Sequence, residues 1–280
     1  MRQFLAIIEE TYREARSKKT LVGFFIFSSI IILITFFVFQ SSSVKEAMHE
    51  FQQTKMRGPG GIAASVMQVT ALDIFYTIIS GILYFMTICI GVFATTGFIT
   101  SQMEKGTIDL LLSKPVPRWQ YIFGRYTASL SIILIEAFWF ILGMWIVVSI
   151  SIGVWNSSFL LSTIFILLGY AGIYSIVVLI SVLSRSSALS IIIGIGLFFI
   201  SGLITILKGI ESVVGGGGKS TLSEIAGVMY YVFPQASDMG DNMKNAILGL
   251  PIQWEPIGLI LGLTAIYLSL AIYAFNKKEF

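Results

Sequence analysis

Apolar residues in this chain come in long, nearly uninterrupted blocks of similar length. Charge-free runs cover 21–39, 74–99, 159–183, 188–207 and 256–275, and a sixth, 126–152, is broken only by Glu136. A hydrocarbon core of about 30 Å needs about 20 helical residues at 1.5 Å each, so all six are long enough to cross it. Membrane barrel strands are about 10 residues long and alternate in polarity, which none of these blocks does. The pattern predicts an all-α membrane protein with six transmembrane helices, read as one membrane domain over 1–280.

The polar stretches between the blocks predict the remaining elements. Residues 2–18 form an amphipathic interfacial helix: Phe4, Ile8, Tyr12 and Ala15 share a face with Leu5 beside them, and Glu9, Glu10, Arg13 and Glu14 lie away from it. Such a helix either lies on lipid headgroups or serves as a lever against a soluble partner, and both can hold at once. In the loop 40–73 a polar helix around 44–56 is stopped by Gly58-Pro59-Gly60-Gly61. Between the last two spans, Thr221 with Glu224 forms a capping box for a helix over about 222–233. That helix is apolar enough to dip back into the outer leaflet. Pro234 ends it, and a second short helix runs over about 238–248.

Composition agrees: 56% of the 280 residues are hydrophobic and 12% charged, against roughly 25% charged in soluble domains. An inside N-terminus places twelve Lys and Arg residues in the cytoplasm and six outside, so both termini are expected to be cytoplasmic. The net charge of +3 then reflects this bias, not nucleic-acid binding. The first block has a longer apolar core than a signal peptide and no small-x-small cleavage site after it. Cys89 is the only cysteine, so no internal disulfide is possible. His49 is the only histidine, and one imidazole without thiolates or clustered carboxylates is a poor metal site. The run VVGGGGKST has Val213 where a phosphate-binding loop requires glycine, and no strand precedes it. It reads as a linker, so the chain is expected to have no ATPase site, no metal and no bound cofactor.

The segment 104–125, EKGTIDLLLSKPVPRWQYIFGR, is the one organised polar stretch on the cytoplasmic side. Gly106 permits a sharp turn, Thr107 caps a short helix, and Asp109 sits in its first turn, where the helix dipole favours an anion. Leu110, Leu111 and Leu112 supply apolar anchors. Pro115 ends the helix near Ser113, and Pro117 suits the first turn of the next one. Trp119, Tyr121 and Tyr126 read as interfacial aromatics, and Arg125 as a cytoplasmic flank. A compact helix with apolar anchors flanked by charge suits docking into a partner's groove; an ordinary interfacial loop is the alternative.

The order Glu104, Gly106-Thr107, Leu110-Leu111-Leu112, Pro115-Val116, Arg118, Gly124-Arg125 resembles the loop between the second and third helices of type-2 ATP-binding-cassette (ABC) permeases. It is especially similar to the single-domain bacterial and archaeal group that includes the nitrous-oxide reductase maturation permease. The six spans, the leading amphipathic helix, the helices between the last two spans and the basic tail Asn276-Lys277-Lys278-Glu279 agree with it. The resemblance implies a homodimer or heterodimer of such subunits in the cell membrane of a bacterium or archaeon, each joined to a cytoplasmic ABC ATPase subunit that hydrolyses the ATP. It implies that Glu104, Gly106, Thr107, Asp109, Leu110, Leu111, Pro115 and Arg118 belong to the coupling segment, with 2–18 as a connecting helix, and that the transporter is an exporter.

Glu136 lies at mid-span, where a charge costs at least about 2.5–3.5 kcal/mol on insertion scales. It either lines the translocation path, or pairs across a dimer, or is a protonated carboxyl bonded to a neighbouring serine. Asp73 reads as a boundary residue. Gly81, Gly91 and Gly97, or Gly194, Gly196 and Gly202, are candidates for close helix approach. A membrane-embedded enzyme lacks its constellation, having one histidine in a loop. An ion-coupled carrier is expected to show repeats and several mid-span ionisable groups, and only Glu136 is found.

Overall fold

The computed structural model describes residues 2–17, 19–41, 71–101, 117–153, 155–214 and 221–278. Within them the helices are α1 (Arg2–Ser17), α2 (Thr20–Gln40), α3 (Ala71–Thr100), α4 (Arg118–Ile152), α5 (Ser158–Ser184), α6 (Ser187–Val214), α7 (Thr221–Val232), α8 (Ala236–Leu248) and α9 (Trp254–Lys277). No strand occurs among the described residues. Six helices, α2 to α6 and α9, are long and apolar enough to cross a membrane. The third runs without a break from Arg118, eight residues before the apolar block begins, because nothing in RWQYIFG opposes a helix once Pro117 has fixed its entry.

The bundle is built around α5, which packs against α3, α4, α6, α8 and α9. Small residues make this possible. Gly172 accepts Ile260 and Pro234, and Gly169 accepts the Tyr84 ring. Of the glycines expected at close approaches, Gly91 meets Tyr170 and Ile133, and Gly194 meets Val177 and Val92. Gly81, Gly97, Gly196 and Gly202 face open space. Without its side-chain partners a glycine pattern alone does not say which face is the seam.

Buried hydroxyls cross-link the same core. The rings of Tyr126, Tyr174 and Tyr170 stack in sequence at 5.7 and 5.2 Å. Tyr126 OH donates to Ala171 O at 2.9 Å, and Tyr174 OH donates to Thr95 O at 3.2 Å while sharing a hydrogen bond with Ser129 Oγ. The Tyr170 and Thr95 hydroxyls are also hydrogen-bonded. Tyr121 and Tyr126, expected at the interface, are thus interior residues at 4% exposure, whereas Trp119 is half exposed.

Among the described residues, two that are not glycine adopt left-handed backbone, Lys19 between α1 and α2 and Arg185 between α5 and α6. Each makes a helix-to-helix corner without a loop.

The helices α7 and α8 form a hairpin on the inner side of the corner between α6 and α9. Its tip, Phe233-Pro234-Gln235, lies beside Gly172, about 21 Å along α5 from Ser158 at 1.5 Å per residue. Tyr84, whose OH donates to Ala236 O at 2.5 Å, is about 20 Å along α3 from Ala71. From the tip α8 climbs back along α5 until Asn156, just before α5, donates to Ile247 O at 2.7 Å. The tip therefore reaches the middle depth of the bundle.

Candidate functional site

The segment 104–115 that carries Glu104, Gly106, Thr107, Asp109, Leu110, Leu111 and Pro115 lies outside the described residues, as do His49 and the glycines 215–218. What the structure describes is the pair of helix ends from which that segment springs, Ser101 after α3 and Arg118 at the start of α4.

Both ends are held by charge. Arg118 donates from Nη1 to Asn276 O and Lys278 O, each at 3.1 Å, and so satisfies carbonyls at the end of α9. Lys278 in turn donates from Nζ to Val182 O at 2.6 Å and Leu183 O at 3.0 Å, closing the end of α5. Burial, and Arg185 beside it, hold this ammonium below the usual lysine range. Cations at helix C-termini also meet the negative end of the macrodipole.

Arg125 is the centre of the junction, and it is not an exposed flank. It is fully buried, with Nη1 2.5 Å from Glu14 Oε2, Nη2 3.5 Å from Glu10 Oε1, and Cζ 5.5 Å from the Tyr121 ring centroid. Ser101 Oγ donates to the other Glu14 oxygen, Oε1, at 2.8 Å. Glu14 thus joins α1, the end of α3 and the first turns of α4 through one carboxylate. The buried face of α1 is correspondingly rotated from the expected one. Ile7, Thr11 and Ala15 are buried, Ile7 lying against Gly124, while Leu5 is exposed. The rotation follows from Arg125: a buried guanidinium must be paired, and pairing turns Glu14 inward while Glu10 stays half exposed at the edge. A Glu10–Glu14 pair one turn apart, with an arginine beside an apolar run, was the available sequence signal.

Glu136 sits apart, about 27 Å along α4 from Arg118. It is 5% exposed and lies in the seam with α2, where Ser28 is its hydrogen-bonding neighbour and its Oε2 makes no hydrogen bond. The same seam has Trp139 Nε1 donating to Ser29 Oγ at 3.3 Å, the Phe25 and Trp139 rings 5.9 Å apart, and Ile32 lying against Gly143. The structure thus sets Glu136 beside a serine of the neighbouring helix. Asp73 falls in the first turn of α3.

Six helices of bilayer length with α5 at their centre, and an amphipathic helix ion-paired at their roots, define a polytopic integral membrane protein. The sequence model of the ABC-2 family transporter proteins matches residues 5–280, and the chain belongs to that family. Comparison with curated proteins finds no match. Family membership makes the chain an ABC-type permease subunit, whose class of partner is an ABC ATPase subunit.

Proposed function

We propose that this permease is an exporter subunit driven by a separate cytoplasmic ABC ATPase, of the single-domain bacterial and archaeal kind, with both termini in the cytoplasm of a cell whose plasma membrane it spans. Two copies, or one copy and a related subunit, form the path. The segment Glu104–Ser113 enters the ATPase groove as the coupling helix, and α1 is the connecting helix beside it.

The observation that carries this reading is the Glu14 carboxylate shared by Ser101 and Arg125. It ties α1 to both roots of the coupling segment, so α1 and the segment displace α3 and α4 together. Charge-assisted bonds are about twice as strong as neutral ones, which suits a joint that has to transmit force. Arg118 and Lys278 extend the joint to α9 and α5.

The test is co-purification of the chain with a cytoplasmic ABC ATPase subunit, followed by Gly106→Asp and Leu111→Asp. Each variant is expected to remain inserted while ATP hydrolysis is uncoupled from transport in the reconstituted complex. Unchanged assembly and transport in both variants would refute the coupling assignment.

A further inference from the structure

Arg125 has more donors than partners. Its side chain is fully buried, and Nη1 donates to Glu14 Oε2 at 2.5 Å. Nε and Nη2 make no hydrogen bond. On a guanidinium these two N–H groups point the same way, as a planar fork that fits both oxygens of one carboxylate. Tyr121, one turn earlier on α4 and itself buried, also leaves its OH without a hydrogen bond, beside the same guanidinium. Buried polar groups are nearly always paired, so three idle donors in one place call for an acceptor.

Glu14 cannot be that acceptor. Its Oε2 holds Nη1, and its Oε1 takes the Ser101 hydroxyl at 2.8 Å. Glu10 can. Its Oε1 is already 3.5 Å from Nη2, and 47% of its side chain is exposed, so packing does not hold it in place. An anion from outside fits less well. Two carboxylates already face one buried cation, and the guanidinium has no exposed surface.

The helix that carries both acids is able to make the exchange. Positions four apart on an α-helix differ by about 40° in direction. Glu10 therefore stands further than Glu14 from the buried line of Ile7, Thr11 and Ala15. That line is shallow. Ile7 rests on the bare backbone of Gly124, Thr11 turns its hydroxyl back onto Ile7 O at 2.8 Å, and Ala15 ends at its Cβ. Side chains this short resist a roll weakly.

We infer that Arg125 is a two-position joint, with Glu14 as its standing partner and Glu10 as its exchangeable one. In the position described above, only Glu14 is hydrogen-bonded to the guanidinium. In the second, α1 rolls until Glu10 chelates the Nε–Nη2 fork and accepts from Tyr121 OH, while Glu14 stays on Nη1. Opposing costs keep both positions populated: the first leaves buried donors unpaired, and the second draws Glu10 out of water. Force applied to α1 would tip the balance. That use rests on the reading of α1 as the connecting helix, whereas the joint itself belongs to the chain alone.

The test uses the full chain in liposomes without an ATPase. It carries Cys89→Ala, with nitroxide labels on Leu5→Cys, on an exposed side of α1, and on Ser187→Cys, at the exposed start of α6. A roll of about 40° moves a side chain at the rim of a helix about 10–12 Å wide by about 4 Å, a change that pulsed electron spin resonance resolves. Two distances are expected with Glu10 and Arg125 intact, and one with Glu10→Ala. Arg125→Lys keeps a cation for Glu14 but removes the fork, so it should also give one distance. Tyr121→Phe should keep both and lower the share of the second. A single distance that Glu10→Ala leaves unmoved would overturn the joint. Two distances that survive Glu10→Ala would overturn it as well, because the roll would not depend on that carboxylate. A single distance that Glu10→Ala shifts would make Glu10 a fixed partner and overturn the exchange. Failure here leaves the coupling assignment to its own test with Gly106→Asp and Leu111→Asp, and failure of that test leaves the joint standing.

Discussion

The helices α5 and α2 are both strongly apolar spans, yet most of the first is buried inside the protein and little of the second is. Apolar character does not separate them. Side-chain size and hydroxyl chemistry do. The central span carries Gly169, Gly172, Tyr170, Tyr174, Ser175 and Ser181 at buried positions, which let neighbours approach and give them something to bond. The rim span presents Ile30, Leu33, Ile34 and Phe37 outward. In a bilayer the lipid is as apolar as leucine, so burial goes to small and hydroxylated faces.

Rim elements are held differently from the core. Both α1 and α2 dock onto α4 with an isoleucine against a glycine and a carboxyl contact among their anchors: Ile7 on Gly124 with Glu14 to Arg125, and Ile32 on Gly143 with Ser28 beside Glu136. The central helix is held by many contacts at once. Cutting single anchors should therefore release the rim, whereas only crowding should disturb the core.

The largest effect expected is from Arg125→Ala, which leaves Glu14 half-paired in a buried site and should cost about 3–5 kcal/mol. Thermal unfolding in detergent measures the loss, and trypsin cleavage at Arg13 and Arg16 should report the release of α1. Next is Gly172→Leu, where even a Cβ would lie 2.6 Å from Ile260 Cγ1. Overpacking of this kind costs about 1–3 kcal/mol or more, and the variant should lose its monodisperse elution peak. Gly143→Leu crowds Ile32 but at a rim helix free to shift, so a loss of about 1 kcal/mol is expected in the same unfolding assay. Ser28→Ala removes a hydrogen-bonding group next to Glu136 and should cost about 0.5–1.5 kcal/mol. The comparison is sharpest at Gly23 of α2, whose Cβ direction is empty: Gly23→Leu should leave the melting temperature unchanged. A loss there equal to that of Gly172→Leu would mean the rim is packed as tightly as the core.

Much of this architecture was legible in the sequence, for a physical reason. Bilayer thickness imposes a length on apolar runs, and charge marks where they end, so the six spans, α1 and the two short helices could be placed without a partner in view. Contacts between elements are not periodic, so the sequence pattern does not place them. Arg125 carries the same charge whether it flanks a span or pairs beneath it. Only the arrival of Glu14 decides, and that depends on how α1 lies on α4. The same holds for Gly91 against Gly81: identical residues of one helix, separated in role by whether Tyr170 faces them. The depth of the α7–α8 hairpin was hinted at by composition alone, and its tip chemistry was invisible because two of its donors, Tyr84 and Tyr267, come from α3 and α9.

One of those donors has a consequence for how the protein is made. Tyr84 OH reaches Ala236 O across 152 residues of sequence. Ribosomes deliver α3 long before α8 exists, so this bond closes late, and at 13 residues α8 is too short to be inserted as a span by itself. The hairpin has to settle into a cleft already walled by α3, α5 and α6, a long loop closure of the slow kind. The hairpin is therefore expected to settle after the first five spans, and a chain stalled just before that step would lack the middle of its interior although those spans cross the membrane.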